Sequence, residues 1–150
     1  MSVGEICNRE VVITEPGTSV LEAARLMSEH HVGSIVVVEG TPPRPIGIVT
    51  DRDLVVKVMA QRREPAELKV KELMRPRLVT LAEEAHTWEA VERMQAEGMR
   101  RLVVVDDEGA LQGILTMDDL LEFFAGELSD LVKTVGRERA RETPTGPAAR

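Results

Sequence analysis

The chain has 150 residues, a net charge of −7 and an isoelectric point near 5.1, a balance that disfavours non-specific binding to nucleic acid or to an anionic membrane surface. Aromatic residues make up 2% with no tyrosine, so the core has to be built from Val, Ile, Leu, Ala and Met. Cys7 is the single cysteine, which rules out an intramolecular disulfide and predicts a reducing, cytoplasmic setting.

The sequence has no CxxC, no HExxH and no Gly-rich phosphate loop of the Walker type. No basic-plus-apolar leader opens it, and no apolar run is long enough to span a bilayer, so no membrane partner is expected.

In chain order, residues 3–8 predict a short helical turn and Val11 to Thr14 a first strand, followed by a turn at Pro16-Gly17. Ser19 is the expected cap of the next helix, with Glu22 completing a capping box and Leu21, Ala24 and Met27 on one face. His30 and His31 end that helix; adjacent helical residues point apart, so they are poor candidates for one metal. Ile35–Val38 reads as a strand, the Gly- and Pro-rich stretch Glu39 to Pro45 as a loop, and Ile46 to Thr50 as a third strand. A helix from Asp51 to Arg62 follows, then a short polar linker from Gln61 to Lys69.

The second half repeats this order. Trp88, Val91 and Met94 are the expected buried face of its first helix, which Gly98 ends. Strands at Leu102–Val105 and Leu111–Thr116 flank a turn from Asp106 to Gly109. An apolar stripe then runs from Leu120 through Phe123, Phe124, Leu128, Leu131 and Val132 to Val135; Gly136 is expected to break it, leaving a frayed tail from Arg137 to Arg150.

One short stretch occurs twice. Gly47-Ile48-Val49-Thr50-Asp51-Arg52-Asp53-Leu54 and Gly113-Ile114-Leu115-Thr116-Met117-Asp118-Asp119-Leu120 are offset by 66 residues. Earlier elements match at an offset of 67: Leu21-Glu22-Ala23 on Trp88-Glu89-Ala90, and Ile35 to Val38 on Leu102 to Val105. A period this long exceeds any solenoid repeat and means two related half-domains. In each copy an apolar strand runs into a helix. The Thr suits the cap, and the Asp three residues on can reach back to it. The same geometry presents free N–H groups and the positive end of a helix dipole, which suit a phosphate.

This doubled pattern resembles the cystathionine-β-synthase (CBS) domain, which occurs as tandem pairs. The resemblance rests on Val-Val-Ile-Thr, Ser-Val-Leu-Glu-Ala-Ala, Gly-Ser-Ile-Val-Val-Val and Gly-Ile-Val-Thr-x-x-Asp in the first half. In the second it rests on Leu-Val-Thr, Thr-Trp-Glu-Ala-Val, Arg-Arg-Leu-Val-Val-Val-Asp and Gly-Ile-Leu-Thr-x-x-Asp-Leu. It implies an α/β (α+β) fold of two pseudo-twofold β-α-β-β-α motifs, with CBS motif 1 over residues 1–65, motif 2 over 66–126, and a C-terminal helix and tail over 127–150.

It further implies two clefts where the halves meet, each able to take an adenosine-containing ligand: AMP, ADP, ATP or S-adenosylmethionine. The ribose-binding carboxylate carries over to Asp53 and Asp119, and the phosphate-contacting hydroxyl to Thr50 and Thr116. The base would lie among Ile13-Thr14, Ser34-Ile35-Val36, Val79-Thr80 and Leu102-Val103. The basic phosphate contact maps to Arg101, with Arg100 beside it. Arg52 adds a cation to the first motif where the second has Met117 and an extra Asp118, so the Thr50/Asp53 cleft ranks above the Thr116/Asp119 cleft.

No nucleophile and base stand together, so no catalysis is expected. The family resemblance implies a regulatory, ligand-sensing homodimer that signals to a protein partner. The alternative is an interaction module whose clefts stay empty.

Overall fold

The computed structural model describes residues 1–75 and 77–142. It contains two three-stranded sheets of the same design, one from each half of the chain.

The chain opens with α1 (Val3–Ile6) and reaches β1 (Ile13–Thr14), shorter than the four-residue strand expected. Helix α2 (Val20–His30) is capped by Ser19, whose hydroxyl accepts from the Glu22 amide at 3.1 Å. Strands β2 (Ser34–Glu39) and β3 (Arg44–Thr50) pair antiparallel, and β1 joins β2 in parallel. Strand β3 thus starts before the residue at which sequence alone places it. Pro45 is tolerated because β3 is an edge strand and a register shift falls at Val37/Val38, beside it.

After β3 the chain makes one α-turn, α3 (Asp51–Asp53), and widens into a π-helix, Leu54–Met59. The Ala60 and Arg63 amides donate to Val55 and Val58 five residues back. The regular helix to Arg62 foreseen from the apolar spacing is therefore not what forms; Arg62 already lies in the left-handed region at φ 54°. The segment read as a polar linker is tied down: Leu68 is buried, and its carbonyl accepts from the Val20 amide at 2.8 Å.

A 3-10 turn (Val70–Glu72) begins the second half, followed by β4 (Thr80–Ala82), α4 (Thr87–Glu97), β5 (Arg101–Val105), β6 (Leu111–Thr116) and α5 (Met117–Glu142). Strand β4 runs parallel to β5 and β6 antiparallel to it, reproducing the first sheet. His86 caps α4 through Nδ1, and Gly98 closes it in the left-handed conformation at φ 63°.

Three expectations are corrected. Trp88 is 56% exposed; the buried face of α4 is Thr87, Ala90 and Met94, and Trp88 instead meets Phe124 edge to face at 6.2 Å. Leu21, its counterpart on α2, is likewise exposed, while Val20, Ala23 and Met27 are buried. Gly136 does not end α5, which continues to Glu142; one glycine lowers helix stability without forbidding helix. The remainder of the expected tail, 143–150, lies outside the described residues.

The cores do not follow the repeat boundaries. Val3 and Cys7 pack with Leu81, Met94, Leu102, Leu115 and Leu120 of the second half. Leu68, Val70 and Leu73 pack with Val20, Ile35, Val49 and Val58 of the first. A third cluster joins the sheets, with Val36, Val38 and Val103 at its centre. Each half thus receives its lid from the segment that precedes the other.

Candidate functional site

The two Thr-x-x-Asp motifs fold alike. The Thr50 amide donates to Asp53 Oδ2 at 2.9 Å, and the Asp53 amide to Thr50 Oγ1 at 3.3 Å. The Thr116 amide donates to Asp119 Oδ2 at 2.8 Å, and the Asp119 amide to Thr116 Oγ1 at 3.1 Å. Both are reciprocal caps, so the local reading of these residues as helix-starting signals holds in each copy.

Their surroundings differ. Beside Thr50 and Asp53 lies a cleft of about 280 Å³, close to the lower end of the range of roughly 300–1,000 Å³ usual for small-molecule pockets. Ile48, Leu78, Val79 and Val103 form its apolar wall. Five arginines line it: Arg52, Arg75, Arg77, Arg100 and Arg101. Arg77 pairs with Glu97 at 3.2 Å and Arg100 with Asp118 at 3.6 Å; Arg52, Arg75 and Arg101 have no acidic partner among the described residues. In a chain of net charge −7 this is a strong local reversal of sign.

Of the residues singled out from sequence, the structure brings Thr50, Arg52, Asp53, Val79, Arg100, Arg101 and Val103 together in this cleft. Ile35 and Leu102 are fully buried in the two separate cores. Val36 lies in the cluster between the sheets. Thr14 and Thr80 occupy β1 and β4, each paired in parallel with the central strand of its sheet. Ser34 stands opposite Thr50 across β2 and β3, and Arg101 opposite Thr116 across β5 and β6. Asp119 lines a shallow groove with Glu122, Glu127 and Asp130, where carboxylates predominate.

Arg75 and Arg77 were not foreseen. They stand in the loop before β4, and the residues 67 positions earlier are Asn8 and Glu10. That charge difference between otherwise matching segments was the available signal. In the matching segment of the first copy the cation is Arg9, which is held by Glu83 at 3.1 Å and by the Gly4 carbonyl at 2.8 Å.

The carboxylate of Asp53 is further engaged by Lys57, whose Nζ lies 3.2 Å from Oδ1 and donates to the Leu73 carbonyl at 2.8 Å. The cleft therefore combines a fixed carboxylate, a helix start, an apolar wall and a rim of guanidinium groups. Such a set can hold a polyhydroxylated, flat and anionic molecule.

Comparison with known proteins identifies the family of the chain. The CBS domain pattern matches residues 3–60 and 70–126. A protein of Methanopyrus kandleri is 43% identical over 122 residues, 81% of this chain, and this chain spans 62% of that protein's length. A CBS domain protein from Pyrobaculum aerophilum, solved in complex with AMP, has a TM-score of 0.72 at 25% identity, covering 79% of this chain and 89% of its own. The cytosolic domain of the Mg2+ channel MgtE, solved in complex with ATP, has a TM-score of 0.70 at 29% identity, covering 81% of this chain and 48% of its own. Among the described residues, no helix is long and apolar enough to cross a membrane. With two copies of the pattern, the matching doubled sheets and nearly the whole folded chain accounted for, the protein belongs to the CBS domain family as a tandem pair.

Proposed function

We propose that this CBS pair is a regulatory module that binds an adenine nucleotide in the Thr50/Asp53 cleft and relays its occupancy to a partner. The observation that carries the reading is the set of five arginines around Thr50 and Asp53 on an otherwise acidic chain. The base lies against Val79, Leu78 and Val103, the ribose hydroxyls donate to Asp53, and the phosphates reach the Thr50 helix start and the arginines. Similar proteins solved with AMP and with ATP support the ligand class. The cationic rim favours ADP or ATP over AMP, and disfavours S-adenosylmethionine, whose sulfonium is itself positive. The reading assigns the chain no reaction of its own.

Self-association belongs to the same reading. Leu21, Val55, Val56 and Met59 are exposed on the first half and Trp88 and Leu121 on the second, and Leu21/Trp88 and Val55/Leu121 are repeat-equivalent pairs. Apolar residues repeated at equivalent exposed positions suit pairing of two copies.

A second reading draws on the engagement of Asp53 by both Thr50 and Lys57. It is an interaction module in which that carboxylate only caps a helix. Calorimetric titration with ATP, ADP, AMP and S-adenosylmethionine decides between them. Wild type is expected to bind ATP most tightly. Asp53→Ala should weaken binding by about 10- to 150-fold, the equivalent of roughly 1.5–3 kcal/mol for a hydrogen-bonded charged group. No binding by wild type, or equal affinity in a folded Asp53→Ala protein, removes the nucleotide assignment and leaves the interaction module.

A further inference from the structure

Helix α5 is too long for the body that it packs on. Its 26 residues extend about 39 Å at 1.5 Å per residue, and every residue from Leu128 to Glu142 is exposed. Half of this helix therefore has no tertiary packing, although isolated helical segments of that length are marginal in water. Gly126 and Gly136 weaken it further.

The pattern on it is not that of a solvated helix. Met117, Leu121, Phe124, Leu128, Leu131 and Val135 recur at alternating steps of four and three. That is the 3.5-residue period of a coiled-coil seam. Leu128 and Leu131 are 63% and 64% exposed, so from Leu128 onward the seam is uncovered in the single chain, while Met117 and Phe124 at its start are partly buried against the chain's own core. Gly126 and Gly136 fall on the opposite face of the heptad, away from the seam.

Charge along the helix is segregated. From Met117 to Leu131 there are five acids, Asp118, Asp119, Glu122, Glu127 and Asp130, and no base. All four bases, Lys133, Arg137, Arg139 and Arg141, lie beyond, with two acids among them, Glu138 and Glu142, which leaves that half net positive. Two such helices side by side in parallel would set acid against acid. In antiparallel they set the acidic half of each beside the basic half of the other.

We infer that α5 is the dimerisation arm of this protein, forming an antiparallel two-stranded coiled coil with α5 of a second copy. Leu128 of each chain packs on Leu131 of the other, Phe124 packs on Val135, and Asp118 lies level with Arg141. The seam reaches the exposed Trp88 through Phe124, which meets it edge to face, so the arm extends the apolar patch proposed above for self-association. The inference is independent of the nucleotide assignment, because none of these residues lines the Thr50/Asp53 cleft.

The test is a spin-label distance on the full chain. Arg141→Cys is labelled with a nitroxide, Cys7 being buried and left in place. Antiparallel pairing puts the two labels about 35 Å apart along the axis, 23 residues at 1.5 Å each. Parallel pairing puts them abreast, near the helix separation of roughly 8–10 Å. The arm is supported if the longer distance is found and disappears in Leu128→Glu/Leu131→Glu, with circular dichroism showing the body still folded. A short distance, the absence of dipolar coupling at high protein concentration, or a long distance that persists in the double variant each overturns it. Coupling lost because the chain instead binds an unrelated protein counts against it equally.

Discussion

Asp53 Oδ1 lies 3.2 Å from Lys57 Nζ one helical turn along, whereas the residue four positions after Asp119 is Phe123. The two carboxylates cap their helices in the same way but hold different fourth neighbours. Lys57 also ties the first half to the Leu73 carbonyl, so it links Asp53 to the segment that covers that core.

Both Asp→Ala variants should lose a helix cap, at about 0.5–2 kcal/mol. That corresponds to roughly 2–4 °C in melting temperature per kcal/mol for a chain of this size. Asp53→Ala also leaves Lys57 without its carboxylate and should melt lower than Asp119→Ala. Only Asp53→Ala should affect nucleotide titrations. Parallel melting curves and titrations of the two proteins check both statements.

Arg75→Ala and Arg77→Ala should each reduce ATP affinity without shifting the melting temperature. Both side chains are exposed, so each is expected to contribute about 0.5–1 kcal/mol, a two- to fivefold change. The loss should shrink as salt is raised. Glu10→Ala, at the repeat-equivalent position to Arg77, serves as the control and should leave affinity unchanged. Titration at low and high ionic strength measures all three.

Gly113 and Gly47 are equivalent in the repeat but should not be equally sensitive. A Cβ on Gly113 would come within 2.7 Å of the Asn8 carbonyl oxygen, part of a backbone bridge between Asn8 and Ile114. A Cβ on Gly47 would meet the thioether end of Met74, a flexible chain that can move aside. Gly113→Ala is expected to cost about 1–3 kcal/mol as an overpacked contact, and Gly47→Ala distinctly less. Urea unfolding of the two variants gives the comparison.

Burial pushes the Cys7 thiol above its ordinary value of 9.0, a shift that Arg9 only partly opposes. At neutral pH the thiol should therefore react with an aromatic disulfide reagent far more slowly in the native than in the unfolded chain. The same shift sets a sign for stability. Above the unfolded value the unfolded chain releases the proton and the folded chain keeps it, so this contribution falls as pH rises through 9.0 toward the raised value. In Cys7→Ala that part of the alkaline decline should be missing.

The repeat made most of the fold legible. Strand runs such as Ile35–Val38 and Leu102–Val105 are continuous, β-branched apolar runs of the kind that suits a strand buried on both faces, and the doubled order marked them as equivalent. Trp88 was misplaced because size and apolarity suggest burial, but α4 turns Ala90 and Met94 inward and leaves Trp88 on the rim with Phe124. The π-helix after Asp53 was invisible because Leu54, Val55 and Val58 fit α spacing equally well. In the cleft, Thr50 and Asp53 could be read from a local motif. Arg75 and Arg77 could not, since their meaning depends on a loop of one half folding against a helix start of the other.

The exchange of the segments that cover the two cores bears on how such a protein could arise. A chain holding one repeat and its own leading segment could not close its core with that segment, because the segment reaches only a neighbour. Two such chains would have to trade ends, giving an intertwined dimer whose closure depends on concentration. Joining the copies in tandem turns that trade into an event within one molecule, at an effective concentration set by the connection rather than by the cell. The inheritance should still be visible: polypeptides 1–65 and 66–142, each unfolded alone, are expected to recover the native circular dichroism when mixed at equal molarity.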